Sequence, residues 1–292
     1  NLAYVRTVEK LSDIKVPERA QYIRVISVEL QRIASHLMAT GFLLNDLGAL
    51  ATPLVYCFRE RERILDLFEM LCGARITLSY MRPGGVFQDT PEEFWDSLNI
   101  LISDFPNYLD ELESLITTNE IVLARTIGVG LLSDAQAIDS GVTGPILRAS
   151  SVKWDLRKAN PYEIYDRVNF DIPIGSSGDT YDRYYVRLQE MRESIKIISQ
   201  CIEQIEPGPV RTETPFFIRP PIGETYSSVE GPKGELGFYM VSDGGISPYR
   251  CKVRAPSFIN LTPLRDMITG WKMGDLIIIL GSIDIVLGEV DR

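Results

Sequence analysis

Histidine is almost absent from this sequence of 292 residues, in which His36 is the only one. A Ser-His-Asp triad or a histidine-ligated metal centre would therefore depend on this one imidazole. The four cysteines (Cys57, Cys72, Cys201 and Cys251) are scattered, with no CxxC pair and no disulfide spacing, which is typical of a reduced, cytoplasm-like compartment. GxSxG, Walker and GxGxxG motifs are also missing, so the common hydrolase, NTPase and dinucleotide-binding signatures are excluded.

Long apolar runs and excess positive charge are missing as well. The most apolar stretch, "LIIILGSIDIVLGEV", is interrupted by Asp284 and Glu289, so we expect no membrane-spanning helix. The net charge of -10 argues against binding to nucleic acid or to an anionic membrane surface. No secretory signal is recognisable, and because the chain begins with Asn1 rather than Met, we expect the native protein to extend further upstream.

Helical patterns dominate the first two thirds of the chain. Pro17 suits the start of a helix over about 18–44, and the pattern of "FRERERILDLFEMLCG" predicts a second helix that ends at Gly73. A turn is predicted between them at "GALATP". Two capping boxes are predicted: one with Thr90 at the N-cap, Pro91 at the first position and Glu93, the other with Ser133 and Gln136.

The longest regular pattern covers residues 181–205. Its apolar positions alternate spacings of three and four, and they are Tyr181, Tyr184, Leu188, Met191, Ile195, Ile198, Ile202 and Ile205. Such a heptad seam, ended by Pro207, is typical either of a central bundle helix or of a dimerising coiled coil. Because the seam is no longer than one domain, the bundle helix is favoured.

A different pattern follows the helical region. "GELGFYMV" and "PYRCKVRA" flank the turn signal "SDGG", which predicts a β-hairpin. We therefore predict a mainly α fold (α+β) of one structural domain. It would consist of a helical core at 1–206, an irregular Pro-rich linker at 207–230, and a hairpin with the C-terminal segment at 231–292 packed on the core.

A polar stripe runs along the first long helix. Glu29, Arg32 and His36 are spaced i, i+3, i+7, so they share one helical face beside the apolar stripe. Such a stripe is either a solvated face or a buried polar network that contacts another element. The spacing favours a satisfied polar row of the kind that is common on helix surfaces.

Several segments together resemble one protein family from the first residue to the last. They are "NLAYVRTVEKL", "RAQYIRVISVELQRIASHLMATGFLLNDLGA", "FRERERILDLFE", "GARITLSYMRPGGVFQD", "GPILRASSVKWDLRK", "VRLQEMRESIKII", "GELGFYMVSDGGISPYRCKVRAPSF" and "GSIDIVLGEVDR". The chain is thereby similar to the 49-kDa, or D, subunits of respiratory complex I, which are related to the large subunits of nickel–iron hydrogenases. The resemblance implies a helical bundle like that of the hydrogenase large subunit.

The resemblance also implies a function. Subunits of this family belong to a proton-pumping NADH–quinone oxidoreductase and form, with a neighbouring cluster-bearing subunit, the chamber in which quinone is reduced. We therefore expect this chain to bind no cofactor, to be inactive in isolation, and to receive electrons through FMN and iron–sulfur clusters of partner subunits. It would lie peripherally between other peripheral-arm subunits and the membrane arm, on the cytoplasmic side of a bacterial inner membrane or the matrix or stroma side in an organelle.

The site residues that the resemblance implies are few. Asp46 matches the family's proton-relay aspartate, and Asp46, Val286 and Glu289 are expected to border the quinone chamber. Val286 and Glu289 stand where hydrogenases have two metal-binding thiolates, and Arg292 stands where they have a histidine. An isopropyl group cannot replace a thiolate at a soft metal, so no metal is expected.

Two further positions concern histidines of the family: one is replaced in this chain, and the other is present with a role that has two interpretations. Thr77 occupies the position that faces the terminal cluster, where the family often has a histidine, and a hydroxyl does not titrate near neutral pH. His36 matches a common family histidine, and we interpret it as a buried polar support, with proton relay as the sharper alternative. The family's two ligands of the quinone headgroup, a histidine and a tyrosine, match no residue of this chain because they precede the segment that begins at Asn1.

Two other functions remain open from the sequence. The first is an equivalent subunit of a complex that is driven by ferredoxin or by a reduced deazaflavin. The second is a non-catalytic scaffold, since the headgroup ligands are not in this chain. Residues upstream of Asn1 would separate the catalytic subunit from the scaffold.

Overall fold

The computed structural model describes residues 1–49 and 52–291. Its helices are α1 (Leu2–Ser12), α2 (Glu18–Asp46), α3 (Thr52–Cys72), α4 (Glu92–Ile116), α5 (Glu120–Thr126), α6 (Asp134–Asp139), α7 (Pro145–Ala149), α8 (Leu156–Ala159), α9 (Thr180–Gln204), α10 (Pro256–Asn260), α11 (Leu264–Ile268), α12 (Met273–Ile283) and α13 (Leu287–Val290). Its strands are β1 (Met81–Arg82), β2 (Gly85–Val86), β3 (Gly223–Gly231), β4 (Gly234–Ser242) and β5 (Arg250–Arg254). The predicted mainly α class with a small β element near the C-terminus is confirmed.

Helices α2 and α9 form the centre of the bundle and pack against each other, and α3 lies on the other side of α2. Most of the heptad seam of α9 is buried inside the chain, with Leu188, Met191 and Ile198 wholly inaccessible. A seam that is covered by the chain's own helices identifies a central bundle helix, as predicted. The seam could not serve as a coiled-coil interface without opening this core.

The predicted helix limits are close to those observed. Gly73, in the left-handed region at φ 71°, directly follows α3 and ends it as predicted. The predicted "GALATP" turn includes residues 50 and 51, which lie outside the described residues. Every helix in the described ranges is too short or too polar to span a bilayer.

One of the two predicted capping boxes forms. Ser133 and Gln136 bond reciprocally at the start of α6, as predicted. The box at Thr90 was predicted wrongly: α4 begins at Glu92, Pro91 occupies the N-cap, and it offers no side-chain cap. Thr90 therefore lies one residue before the N-cap, and its hydroxyl donates to Asp89 Oδ1 at 3.3 Å.

The predicted hairpin is present and belongs to a larger sheet. Strands β4 and β5 pair antiparallel, and β3 pairs with β4 on the other side, in the order β3-β4-β5. The prediction of an irregular segment at 207–230 was wrong for residues 223–230, which belong to β3. This strand carries few apolar residues, and it is stabilised by its ladder to β4 and by packing against α1.

Candidate functional site

Asp46 is the last residue of α2, and its side chain is exposed. Helix α2 packs there against α12, at a point where α12 has a glycine. A Cβ atom added at Gly281 would lie 3.7 Å from Asp46 Oδ2, so the carboxylate rests directly over the α12 backbone. The chain continues from α12 to Val286 within five residues. The structure therefore brings Asp46 close to the C-terminal run in which two other predicted site residues lie.

Val286 and Glu289 are held by α10. Val286 directly precedes α13 with 40% of its surface exposed, and its N–H donates to Ser257 Oγ at 3.3 Å. Ser257 also donates from its backbone N–H at 3.2 Å, and from its hydroxyl, to Glu289 Oε2. The Glu289 carboxylate is thus turned onto α10, whereas Val286 presents an apolar surface outwards.

The segment that the resemblance matches to the hydrogenase metal ligands contains no cysteine in this chain. Asp284, two residues before Val286, adopts the left-handed conformation at φ 60° and pairs with Lys233 Nζ at 2.7 Å. In the described residues we find no group of three or more His, Cys, Asp and Glu side chains arranged to hold a metal ion. Arg292, which takes the place of the hydrogenase histidine, lies outside the described residues.

His36 is wholly buried against α9. Its Nε2 atom lies 2.9 Å from Glu190 Oε2, and Glu190 Oε1 accepts from Arg148 Nε at 2.8 Å and forms an ion pair with Arg148 Nη2 at 2.7 Å. Burial alone would raise the pKa of Glu190, but Arg148 and the hydrogen bond from His36 hold it well below its usual value. Burial lowers the pKa of His36. A neutral imidazole beside a carboxylate must carry its proton on Nε2, which leaves Nδ1 without a partner in the part of the chain that the structure describes.

The His36–Glu190 pair is part of a larger set of buried charges, which we name the central ion cluster. Its members are Glu29, Arg32, Arg148, Asp155, Arg157, Glu190 and Glu230, with His36 attached. Four carboxylates thus face three guanidinium groups, and a further buried guanidinium, that of Arg187, donates to the backbone carbonyls of Arg183 and Ile283. Buried ions are tolerated only when they are paired and hydrogen-bonded in this way.

Short ion pairs connect the cluster across five elements. Arg157 of α8 binds Asp155 at 2.7 Å and Glu29 of α2 at 3.1 Å. Arg148 of α7 binds Glu230 of β3 at 2.8 Å, in addition to its contact with Glu190 of α9. The cluster therefore fixes α2 to α7, α8, α9 and the sheet.

The predicted row of Glu29, Arg32 and His36 is accordingly a buried network, and its interpretation as a helix-surface row was wrong. Sequence reasoning also missed Arg148, Arg157, Glu190 and Glu230. One signal was present: the polar residues of α9, Arg183, Arg187, Glu190 and Ser194, repeat at spacings of four, three and four. That spacing places them on one stripe, opposite the polar stripe of α2.

Thr77 lies elsewhere on the surface. It is exposed in the loop after α3, and its neighbours Ile76 and Leu78 line a cavity of about 310 Å³ together with Gln31 from the middle of α2. At 1.5 Å per residue, Gln31 is about 22 Å along the helix from Asp46. The predicted cluster-facing position and the predicted relay residue therefore occupy different parts of the α2 surface.

The central ion cluster predicts a specific loss of stability in acid. Burial alone would raise the pKa of Glu29, but Arg32 and Arg157 lower it to about 2 from an ordinary value of 4.5. The stabilisation from its depressed pKa is complete above pH 4.5 and is lost as pH falls towards 2; it is worth about 3 kcal/mol. Burial raises the pKa of Glu230. This group therefore destabilises the fold only as pH rises above 4.5, which is outside the range in which Glu29 titrates.

Urea unfolding between pH 4.5 and pH 2 measures this effect. The free energy of unfolding of the wild type should fall by about 3 kcal/mol more over this range than that of Glu29→Gln, which cannot titrate there. Equal pH dependence of the two proteins would contradict the assignment.

Comparison with known proteins agrees with these observations. The family described as "Respiratory-chain NADH dehydrogenase, 49 Kd subunit" matches residues 46–221 and 216–292. The D-type NADH-quinone oxidoreductase subunit of Dehalococcoides mccartyi strain BAV1 is 58% identical over 292 residues, covering all of this chain and 80% of that protein. Its counterparts in Roseiflexus sp. strain RS-1 and Desulforamulus reducens are 54% identical over 300 residues and 53% identical over 291, covering all of this chain and 80% and 79% of those proteins. With a family match over most of its length and relatives above half identity, the chain belongs to the family of 49-kDa subunits of respiratory-chain NADH dehydrogenase.

Proposed function

We propose that this chain is the D-type subunit of a proton-pumping NADH–quinone oxidoreductase and forms one wall of its quinone-reduction chamber. A neighbouring cluster-bearing subunit forms the opposite wall, and other peripheral-arm and membrane-arm subunits surround the pair. The complex accepts electrons from NADH, as the names of the relatives indicate. In this proposal FMN and the iron–sulfur clusters belong to partner subunits, and quinone is the substrate.

The observation that carries the proposal is the contact between the end of α2 and α12. It places the exposed Asp46 carboxylate over Gly281, on the helix that leads to the exposed apolar side chains of Val286 and Leu287. Reduction of a quinone to a quinol takes two electrons and two protons. A carboxylate at the edge of an apolar surface suits that reaction, because it holds a proton beside a place where a hydrophobic ring can rest.

The central ion cluster supports this surface in the proposed function. Because His36 is neutral, wholly buried and bonded to a carboxylate that Arg148 already neutralises, we assign it a supporting role and no proton-relay step. The cluster fixes the middle of α2, and the rigid helix then sets the position of Asp46 ten residues beyond His36.

Asp46→Asn tests the proposal, because it keeps the size of the side chain and removes its charge. We expect NADH–quinone activity of the assembled complex to fall by at least about tenfold, as for loss of a general acid or base. Electron transfer from NADH to an artificial acceptor should remain unchanged, since the route to the clusters is intact. The matched control is Asp96→Asn, at an exposed aspartate of α4, which should keep full activity.

The pH dependence of the quinone-reduction rate of the Asp46→Asn complex decides whether Asp46 transfers protons or only ends a helix. A quinone-reduction rate equal to that of the wild type across pH would show that Asp46 is only a residue at the end of a helix. Loss of the artificial-acceptor activity as well would indicate defective assembly rather than loss of a proton donor.

A further inference from the structure

The outer edge of the C-terminal sheet is open. Strand β5 pairs with β4 on one side, and no described strand pairs with its other side. Alternate N–H and C=O groups of β5 therefore point away from the sheet. An edge of this kind is a ready template for one more strand.

Two cations on this edge have no anionic partner among the described residues. Arg250, Cys251 and Lys252 are all exposed, and neither Arg250 nor Lys252 forms an ion pair within residues 1–49 and 52–291. Arg254, further along the strand, is already paired with Glu235 at 3.4 Å. Two neighbouring cations of this kind on a chain of net charge -10 form a positive patch that is complementary to acidic side chains.

Exposed aromatic residues lie near the start of the same strand, at Tyr249 and around a groove that Ile246 and Pro248 help to line. Phe216 is 93% exposed, and Phe217 and Tyr249 are exposed as well. Phe216 and Phe217 line a shallow groove of about 220 Å³ together with Met240 of β4. Charged residues alone protect an edge from unwanted pairing, but protection does not require exposed aromatic rings. Such rings are typical of a surface that another chain covers.

The two features lie on opposite faces of β5. Arg250 and Lys252 are two residues apart and share one face, whereas Cys251 is paired across the strands with Met240 and shares the face that has the groove. A strand added to this edge would meet cations with every second side chain, and the others would lie on the face of the sheet that has the apolar groove. The matching sequence alternates acidic and apolar residues.

We propose that β5 is a docking edge for an extended segment of another subunit, in which acidic and apolar residues alternate. Its backbone pairs with the outer side of β5, its carboxylates bind Arg250 and Lys252, and its apolar side chains fill the groove beside Phe216. The inference rests on the proposed membership of a multisubunit complex, but it is independent of quinone chemistry.

Cys251 provides a probe in the unmodified protein. Among the described cysteines it alone is exposed, since Cys57 and Cys201 are buried and Cys72 is partly buried. We expect N-ethylmaleimide to label Cys251 at least about tenfold more slowly in the assembled complex than in the isolated chain, and the amides of 250–254 to exchange more slowly. Crosslinking from Cys251 with a bismaleimide or a thiol-to-carboxyl reagent should reach an acidic, extended segment of a partner.

A charge reversal tests the cations. The double variant with Arg250→Glu and Lys252→Glu should be incorporated into the complex several-fold less than the wild type. The matched control, Lys15→Glu with Lys153→Glu, makes the same charge change at exposed residues outside β5 and the groove and should assemble normally. Circular dichroism of each variant verifies that it folds. If the double variant misfolds, the rate of Cys251 labelling in the unmodified protein tests the docking edge instead.

The outcomes separate this inference from the proposed function. An active complex in which Cys251 reacts as fast as in the isolated chain would overturn the docking edge alone. A crosslink to a second copy of this chain would also overturn it. Absence of the chain from any quinone-reducing complex would overturn both proposals.

Discussion

Replacement of Ile198 by aspartate is expected to unfold the protein. Ile198 is wholly inaccessible in the seam of α9, where its side chain packs in the main core. A buried carboxylate without a partner costs several kcal/mol, on the order of the whole stability of a domain. Circular dichroism and urea unfolding measure the effect.

The same substitution at an exposed isoleucine is the control for Ile198→Asp. Ile222 is 82% exposed, next to β3, and Ile222→Asp should leave the unfolding midpoint nearly unchanged. An Ile198→Asp protein that melts with the wild type would show that the seam of α9 faces water.

Replacement of Arg148 by methionine is expected to cost about 3–5 kcal/mol of unfolding free energy, because it leaves buried carboxylates without their cation. Arg148 is wholly buried between Glu190 and Glu230, at 2.7 and 2.8 Å. Because methionine retains much of the packing of the arginine side chain, the loss of unfolding free energy measures mainly the removal of the positive charge. Urea unfolding at pH 7 is the measurement.

Two companion variants interpret the Arg148→Met result. Arg167→Met removes an exposed arginine that pairs with Glu18 and should cost only about 0–1 kcal/mol. Glu190→Gln added to Arg148→Met should recover part of the loss, since it removes one of the unpaired charges. Equal costs for Arg148→Met and Arg167→Met would show that the central ion cluster does not stabilise the fold.

The sequence predicted those parts of the fold that depend on local chemistry. The seam of α9, the end of α3 at Gly73 and the box of Ser133 with Gln136 each rest on residues within a few positions of one another. Strand β3 was missed because its pairing with β4 and its packing against α1 decide its conformation. The box at Thr90 was predicted wrongly because α4 begins one residue later than predicted, at Glu92, which puts Pro91 at the N-cap.

The site could be predicted only in part, for a related reason. The spacing of Glu29, Arg32 and His36 showed that they share a face, but spacing does not show what lies opposite that face. The residues opposite come from α7, α8, α9 and β3, which are distant in sequence. The resemblance to the family predicts Asp46 and Val286 as site residues, and the structure shows that Asp46 lies over α12, the helix that leads to Val286.

The central ion cluster also constrains how the chain can fold as it is made. Arg32 donates to the backbone of Glu230, 198 residues later, and Arg148 binds the Glu230 carboxylate. At about 5–20 residues per second, a ribosome takes roughly 10–40 s to add that stretch. Arg32 lacks its acceptor from β3 throughout this interval, and Arg148 lacks its own for the last 82 residues of it, so the centre of the bundle must stay hydrated. The dry core can close only after β3 has emerged, and a nascent chain stalled before Glu230 would be a ready substrate for chaperones.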